Sequence, residues 1–417
     1  MEMAKMENNE IKNSKLIPRL RFPGFEGGWE EKKLGEVATF KRGMTITAKD
    51  TKNGDVPVIA GGQTPSYYHN VSNREGETIA ISGSGAYAGF VSFWNTPVFL
   101  SDSFSVETEI DINKKYAFYF LKHKQQDLFF MQKGAGVPHV HGTDVGNLII
   151  PLPSLPEQQK ITSCLSELDN LIAAQNQKVD ALKEKKKGLM QQLFPQPGET
   201  TPRLRFPGFE GEWEERKLGV VFETLSNSTL SRADLNDKQG KAMYVHYGDV
   251  LIKIGQVLDL SKEKLPYITD DSLAIKACKS ILRNGDVIMA DTAEDETVGK
   301  CTEIKNASET PVVSGLHTIP LRPLIRFADG FMGYYLNSDA YRKGLLPLMQ
   351  GVKVTSLSRT AITGTSIKYP LSLSEQQKIA SCLSSLDDLI AAESAKVEAL
   401  KDHKKGLMQQ LFPRPTK

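Results

Sequence analysis

The chain has 417 residues, too many for one ordinary domain and close to what two or three domains need. Hydrophobic residues make up 40% and charged residues 24%, which is enough to fill buried cores and excludes a disordered chain. Lysine and arginine number 52 against 50 acidic residues; the net charge of +2 excludes coating of nucleic acid by bulk charge and leaves only local patches for such contacts.

Residues 1–17 read as a polar N-terminal tail without an apolar signal core, and no run of about 18 apolar residues follows, so a cytoplasmic location is expected. From Pro18 to Gly35 the chain reads PRLRFPGFEGGWEEKKLG, and from Pro202 to Gly219 it reads PRLRFPGFEGEWEERKLG, identical at sixteen of eighteen positions at an offset of 184. The first globular segment, 18–155, continues through the β-type runs DVPVIAGG, ETIAISGSGAYAGFVSF and TPVFLSDSFSVE. A helical stretch, a glycine-containing loop and a closing strand follow. Its polar, glycine-loosened loops hold candidate DNA contacts: Lys41, Arg42, Tyr67, Tyr68, His69, Ser82, Ser84, Lys133, His139 and His141. Arginine and lysine meet guanine edges or phosphates, and glycine lets backbone approach a groove. Charge does not single these loops out, since residues 36–155 hold 10 basic and 11 acidic side chains, and an ordinary polar loop is the alternative for any one residue.

A long helix is predicted over 156–194. Ile161, Leu165, Leu168, Ile172, Val179, Leu182, Leu189 and Leu193 form a heptad seam, with Gln175 and Lys186 at its skipped positions. After a linker at 195–201, the second globular segment spans 202–373. Its strand-like runs are KAMYVHYGDVLI, LRNGDVIMADTA, VGKCTEI and PVVSGLHTIPLRP, and its candidate DNA contacts are Ser226, Asn227, Arg232, His246, Tyr247, Lys353 and Arg359. A second helix over 374–412 repeats the seam at Ile379, Leu383, Leu386, Ile390, Val397, Leu400, Leu407 and Leu411, with Glu393 and Lys404 in the gaps; 413–417 is a tail.

The helix ends KVDALKEKKKGLMQQLFP and KVEALKDHKKGLMQQLFP agree at fifteen of eighteen positions, but at an offset of 218, so the second copy holds 34 more residues between its markers (218 − 184). Little between the markers aligns by eye. Copied frames around unlike inserts point to one shared task and two different ones. Two equal seams in one chain are expected to pair with each other, and the order of segments makes the pairing antiparallel, with one mixed α/β domain at each end of a pseudo-twofold rod. The alternative is that each helix packs on its own domain. Leu171, Ala173, Ala174, Met190 and Phe194, with Leu389, Ala391, Ala392, Met408 and Phe412, add apolar positions beyond the seam that could cover the domains or dock two copies of a partner.

No catalytic constellation stands out. Val298-Gly299-Lys300-Cys301 lacks the spacing and hydroxyl of a phosphate loop. Asp286, Glu303 and Lys305 superficially resemble a metal-nuclease triplet, a pattern expected by chance in a chain of this composition. His139 and His141 lack a third metal ligand nearby. The four cysteines show no CxxC pairing and read as small buried thiols.

The doubled PRLRFPGFEGxWEExKLG motif, the helix starts LPSLPEQQKI and LSLSEQQKI, and the doubled KKGLMQQLF end resemble the specificity subunit of type I restriction-modification systems from Pro18 to Pro413. The resemblance implies a mixed α+β fold in which two target recognition domains are separated by a long antiparallel two-helix coiled coil. It implies recognition of a bipartite, asymmetric site on double-stranded DNA. It places the helix starts Glu157, Gln158, Gln159 and Glu375, Gln376, Gln377 in the family's conserved regions, and Ser374 in place of Pro156 leaves only the helix start open. It further implies that two copies of a methyltransferase subunit dock here and that restriction subunits join through the complex. S-adenosylmethionine, ATP and Mg would then belong to those partners; this chain would be a non-catalytic subunit, bind no metal and meet no membrane. The alternative from another class is a protein-interaction scaffold of a phage-defence system without DNA specificity.

Overall fold

The structure, a computed structural model, describes residues 16–307, 309–351 and 353–413. It divides into two compact units, Met1–Asn176 with Ala395–Lys417, and Gln177–Ser394. Most of the two expected tails therefore lies outside the described residues. Leu16, placed in the N-terminal tail from sequence, instead bridges to Trp29 and is buried in the first core.

In the first unit, four antiparallel strands lie in the order Ala38–Arg42, Ser103–Thr108, Thr78–Ser82, Val91–Trp94. Thr78–Ser82 is buried along its whole length because both of its faces are covered. Ile79 and Ile81 pack with Tyr116, Phe120 and Leu121 of the helix Lys114–His123. Ala80, on the other face, meets Ile59, Val98 and Leu100 of a smaller sheet ordered Tyr67–His69, Val56–Ile59, Phe99–Leu100. The strand Glu30–Lys33 of the repeated motif pairs antiparallel with Ile149–Leu152, so the two ends of the insert are tied together.

The second unit repeats this plan with additions. Its sheet runs Phe222–Thr224, Thr318–Pro323, Val287–Ala290, Cys301–Lys305, and gains a parallel edge strand, Val257–Asp259. Glu214–Lys217 pairs with Ser366–Tyr369 as the closing ladder. Ser82 and Ala290 occupy the same place, 208 residues apart, so 24 of the 34 extra residues (208 − 184) lie before the central strand. The stretch before that strand holds the helices Tyr247–Ile252 and Asp271–Ala277.

The long helices span Leu155–Leu193 and Leu373–Leu411, 39 residues each, one residue earlier at both ends than expected. Within the first unit, Ile161 and Leu165 of the first helix share a core with Met408 and Leu411 of the second, and Phe412 just beyond it. Lys404 reaches Asp169 at 2.5 Å. Residue numbers rise along one helix as they fall along the other, so the two run antiparallel. The second unit shows the mirror arrangement: Met190, Leu193 and Phe194 pack with Ile379, Ala380 and Leu383, and Lys186 reaches Asp387 at 2.5 Å. All sixteen seam positions are buried or half-buried. Phe194 and Phe412, which follow the helices, are fully buried, a contribution of about 2 kcal/mol or more each. Leu171 and Leu389 stay 50% and 40% exposed.

Candidate nucleic-acid interface

Three contacts, made once in each unit, tie the repeated motif and the insert to the long helix. The guanidinium of Arg21 grips both oxygens of Glu157 at 2.8 Å and also donates to the carbonyls of Glu26 and Gly27. Arg205 does the same to Glu375, Glu210 and Gly211. Each carboxylate sits in the first turn of a long helix, where the helix dipole favours negative charge, and is only 2% and 1% exposed. The turn that folds the motif back on its own arginine needs Gly24 and Gly208, at φ +88° and +89°.

The second contact is Gln158, whose Oε1 accepts the backbone N–H of Asn113 ahead of the insert's helix; Gln376 accepts that of Ala328. The third is a tyrosine. Tyr119 donates to Asp169 at 2.8 Å with Lys404 5.0 Å above its ring, and Tyr334 donates to Asp387 at 2.7 Å with Lys186 5.1 Å above its ring. Burial raises both phenols above the ordinary tyrosine range, and the facing aspartates add to the rise. Burial pulls Lys186 down, opposed by Asp387. Tyr116, Tyr119, Phe120 and Leu121 match Phe331, Tyr334, Tyr335 and Leu336 at a constant offset of 215, a similarity the eye misses amid unlike neighbours.

Each insert also presents a hairpin of the same geometry. In the first, Lys133 and His139 exchange backbone bonds of 2.9 and 2.8 Å around Gly134 at φ +116°. In the second, Gln350 and Ser356 exchange bonds of 3.0 and 2.8 Å around Gly351 at φ +115°. A Cβ at Gly134 would lie 2.7 Å from the Val137 carbonyl, and one at Gly351 would lie 2.0 Å from that of Val354, so both turns require glycine. The inner arm of each hairpin pairs with a matching segment, His139 with Ser84 and Ser356 with Thr292. Beside it, Gly83 N–H donates to the Asp102 carbonyl, and Asp291 N–H donates to that of His317.

The side chains at these equivalent places differ. The first unit has Arg42, Ser84, Asp102, Lys133, His139 and His141 where the second has Ser226, Thr292, His317, Gln350, Ser356 and Ser358. Arg42, Asp102, His139, His141 and Asn147 line one concavity of about 780 Å³ in the first unit. The His139 and His141 rings lie parallel, 6.3 Å apart. In the second unit Tyr247 stands 4.7 Å from the His246 ring and 5.3 Å from that of His317. Burial, then the charge of Arg232, lowers the His246 pKa.

The model of the type I restriction modification DNA specificity domain matches residues 26–184 and again 210–402. The chain belongs to the type I restriction-modification specificity subunits. It is 25% identical to the type I restriction enzyme MjaVIII specificity subunit of Methanocaldococcus jannaschii across 98% of this chain and 96% of that one. Its fold is similar to that of the type I restriction-modification S subunit from M. genitalium, with a TM-score of 0.59 at 16% identity, over 96% of this chain and 100% of that one. A component of a type I system solved in a study of its complex assembly and conformational transition aligns with a TM-score of 0.55 at 17% identity, over 93% and 98% of the two chains.

Several side chains read from sequence as base contacts make contacts within the specificity subunit itself. His69 is buried, accepts the Lys52 N–H at Nδ1 and meets Phe99 edge-on. Ser82 is buried and donates to the Gly62 carbonyl, and Ser84 is buried against Asp102. Arg359 donates to the Leu225 carbonyl and to Asn227, whose amide donates to the Gly315 carbonyl, so this pair ties loops together. Arg232 is held by both oxygens of Asp249 at 3.0 Å, and the His246 ring caps the helix Tyr247–Ile252. Lys133 pairs with Asp144 at 2.8 Å and stays largely open to solvent. Lys41, Arg42, Tyr67, Tyr68, His139, His141, Ser226 and Lys353 are exposed, and Tyr247 is half-exposed. Sequence reading did not single out Asp102 and His317, which sit inside strand-like runs rather than in the loops that drew attention.

The nuclease-like triplet is not assembled. Asp286 is paired with Arg322 at 2.6 Å, and Glu303 is buried under the Gly330 and Gly333 amides. No cluster of three metal-ligating side chains occurs among the described residues. Of the cysteines, Cys301 is buried as expected, whereas Cys164, Cys278 and Cys382 are only half-buried. Among the described residues no helix is long and apolar enough to cross a membrane.

Proposed function

We propose that this specificity subunit recognises a bipartite, asymmetric DNA site, one half-site per insert, and leaves all chemistry to partner subunits. The observation that carries this reading is the pair of matching hairpins, closed by the same exchange of backbone bonds between Lys133 and His139 and between Gln350 and Ser356, with different side chains at the matching places. Equal frames present equal surfaces, and unequal side chains read unequal sequences. Half-sites in this reading are met mainly by Arg42, His139 and His141 in the first unit and by Tyr247, Ser226 and Lys353 in the second.

Two methyltransferase subunits dock on the copied surfaces, with Leu171, Ala173 and Ala174 offering one apolar patch and Leu389, Ala391 and Ala392 its duplicate. Restriction subunits join through the complex. S-adenosylmethionine, ATP and Mg are taken up by those partners, and the assembly works in the cytoplasm. A gel shift of the full chain, with and without the co-expressed methyltransferase, tests the reading. Sequence-selective retardation of duplex DNA is expected, and its absence in both arms overturns the proposal.

A further inference from the structure

Asp102 and His317 occupy one place in the two units: each accepts, at its backbone carbonyl, the N–H of the residue before a buried or half-buried hydroxyl, at 2.9 and 3.1 Å. Each side chain then faces that hydroxyl, Asp102 taking the Ser84 proton and His317 Nδ1 lying 3.4 Å from Thr292 Oγ. The hydroxyls in turn sit opposite His139 and Ser356 of the two hairpins. Position, backbone bond and a hydroxyl partner are thus shared, while the side chain that faces the hydroxyl differs. Asp102 accepts the Ser84 hydroxyl at Oδ2 and lines the concavity that Arg42, His139 and His141 also line. Thr292 donates its own proton to Asp291 at 2.8 Å, and His317 Nδ1 lies 3.4 Å from the Thr292 oxygen and 3.6 Å from Asp291 Oδ1. The His317 side chain is 47% exposed.

We propose that this position determines specificity in both units, and that Asp102 reads the exocyclic amino group of a cytosine or adenine in the first half-site. This rests on the DNA-reading function proposed above. An ionised carboxylate accepts and never donates, so it rewards the N4 or N6 amino group in the major groove and is repelled by the acceptor edges of guanine N7 and O6 and thymine O4. Its negative charge also disfavours non-specific approach to phosphates, so it selects bases without strengthening bulk binding. His317 offers a ring nitrogen and an apolar edge at the same place, so the second half-site differs at the matching position.

The test selects duplexes from a randomised pool with the full chain and its methyltransferase subunits, comparing wild type with Asp102→Ala and Asp102→Asn. At one position of one half-site, preference for the amino-bearing base is expected to fall about tenfold in Asp102→Ala, with the other half-site unchanged. Asp102→Asn, which keeps the shape and adds a donor, is expected to admit other bases at that same position. A selected site identical to wild type in both variants overturns the assignment. Should Asp102→Ala fail to fold, the near-isosteric Asp102→Asn decides alone. A wild type that selects no sequence overturns the DNA-reading function itself; a wild type that selects one, with both variants unaltered, overturns only the role of Asp102.

Discussion

The hydroxyl of Tyr119 donates to Asp169 across 2.8 Å, joining the insert's helix to the long helix that frames it, and Tyr334 repeats the bond to Asp387 at 2.7 Å. Two inserts that share few other residues keep this tyrosine, which makes the bond part of the frame's specification for whatever it carries. Tyr119→Phe removes the hydrogen bond to a partly exposed carboxylate and a 3.1 Å one shared with the Ser166 hydroxyl, so the expected loss is about 1 kcal/mol. Asp169→Ala also strips the partner from Lys404, which is only 18% exposed, and is expected to cost about twice as much. Thermal unfolding of the full chain measures both, with a shift of about 2–4 °C per kcal/mol.

Arg21→Ala leaves the Glu157 carboxylate, 2% exposed, without its bidentate partner, and is expected to destabilise the first unit by about 3 kcal/mol. Arg21→Lys rescues little, because an ammonium cannot serve two carboxylate oxygens and two carbonyls in one plane. Arg205→Ala does the same to the second unit through Glu375. Limited proteolysis checks the assignment: each variant exposes cleavage sites in its own unit and leaves the other intact.

Glu303 is pushed up to about 7 by burial, with the amides of Gly330 and Gly333 opposing the rise. The folded second unit therefore holds this proton more tightly than the unfolded chain does. Its stability contribution is fully present below the ordinary glutamate range, declines as pH rises from about 4.5 to about 7, and is flat above that. The change is on the order of 3 kcal/mol at most. Urea unfolding across this range measures it, and Glu303→Gln, which cannot ionise, is expected to flatten the slope.

Lys353 is exposed on the tip of the second hairpin. If it meets phosphate, Lys353→Ala weakens binding to all sequences alike and lowers the salt slope of log K by about 0.9. Arg42→Ala, in the first concavity, is expected to relax sequence preference in one half-site instead. Binding isotherms at several salt concentrations, on cognate and scrambled duplexes, separate the two outcomes.

The frames were legible in the sequence because repetition marks them. Identity at offsets of 184 and 218 exposed the helices, their seams and the motif before each insert, and the antiparallel pairing inside each unit followed from segment order. The reason for that identity was not legible. Arg21 and Glu157 lie 136 residues apart and Tyr119 and Asp169 lie 50 apart, and no local pattern links residues at such separations. The loops fared worse for the same reason. A serine in a glycine-rich run, such as Ser82 or Ser84, looks exposed until the strand around it is seen to be covered on both faces. Asp102 and His317 sit in unlike runs, and only the matching backbone bonds from Gly83 and Asp291 show that they share a place.

Two copied frames hold two different readers. Sequencing every adenine-methylated site in DNA from cells that express this chain with its methyltransferase tests it most directly. One motif made of two unlike half-sequences at a fixed separation is expected, with exchange of residues 220–368 for another family member's insert altering one half alone. A palindromic motif, methylation without any motif, or a change in both halves after the exchange would contradict it.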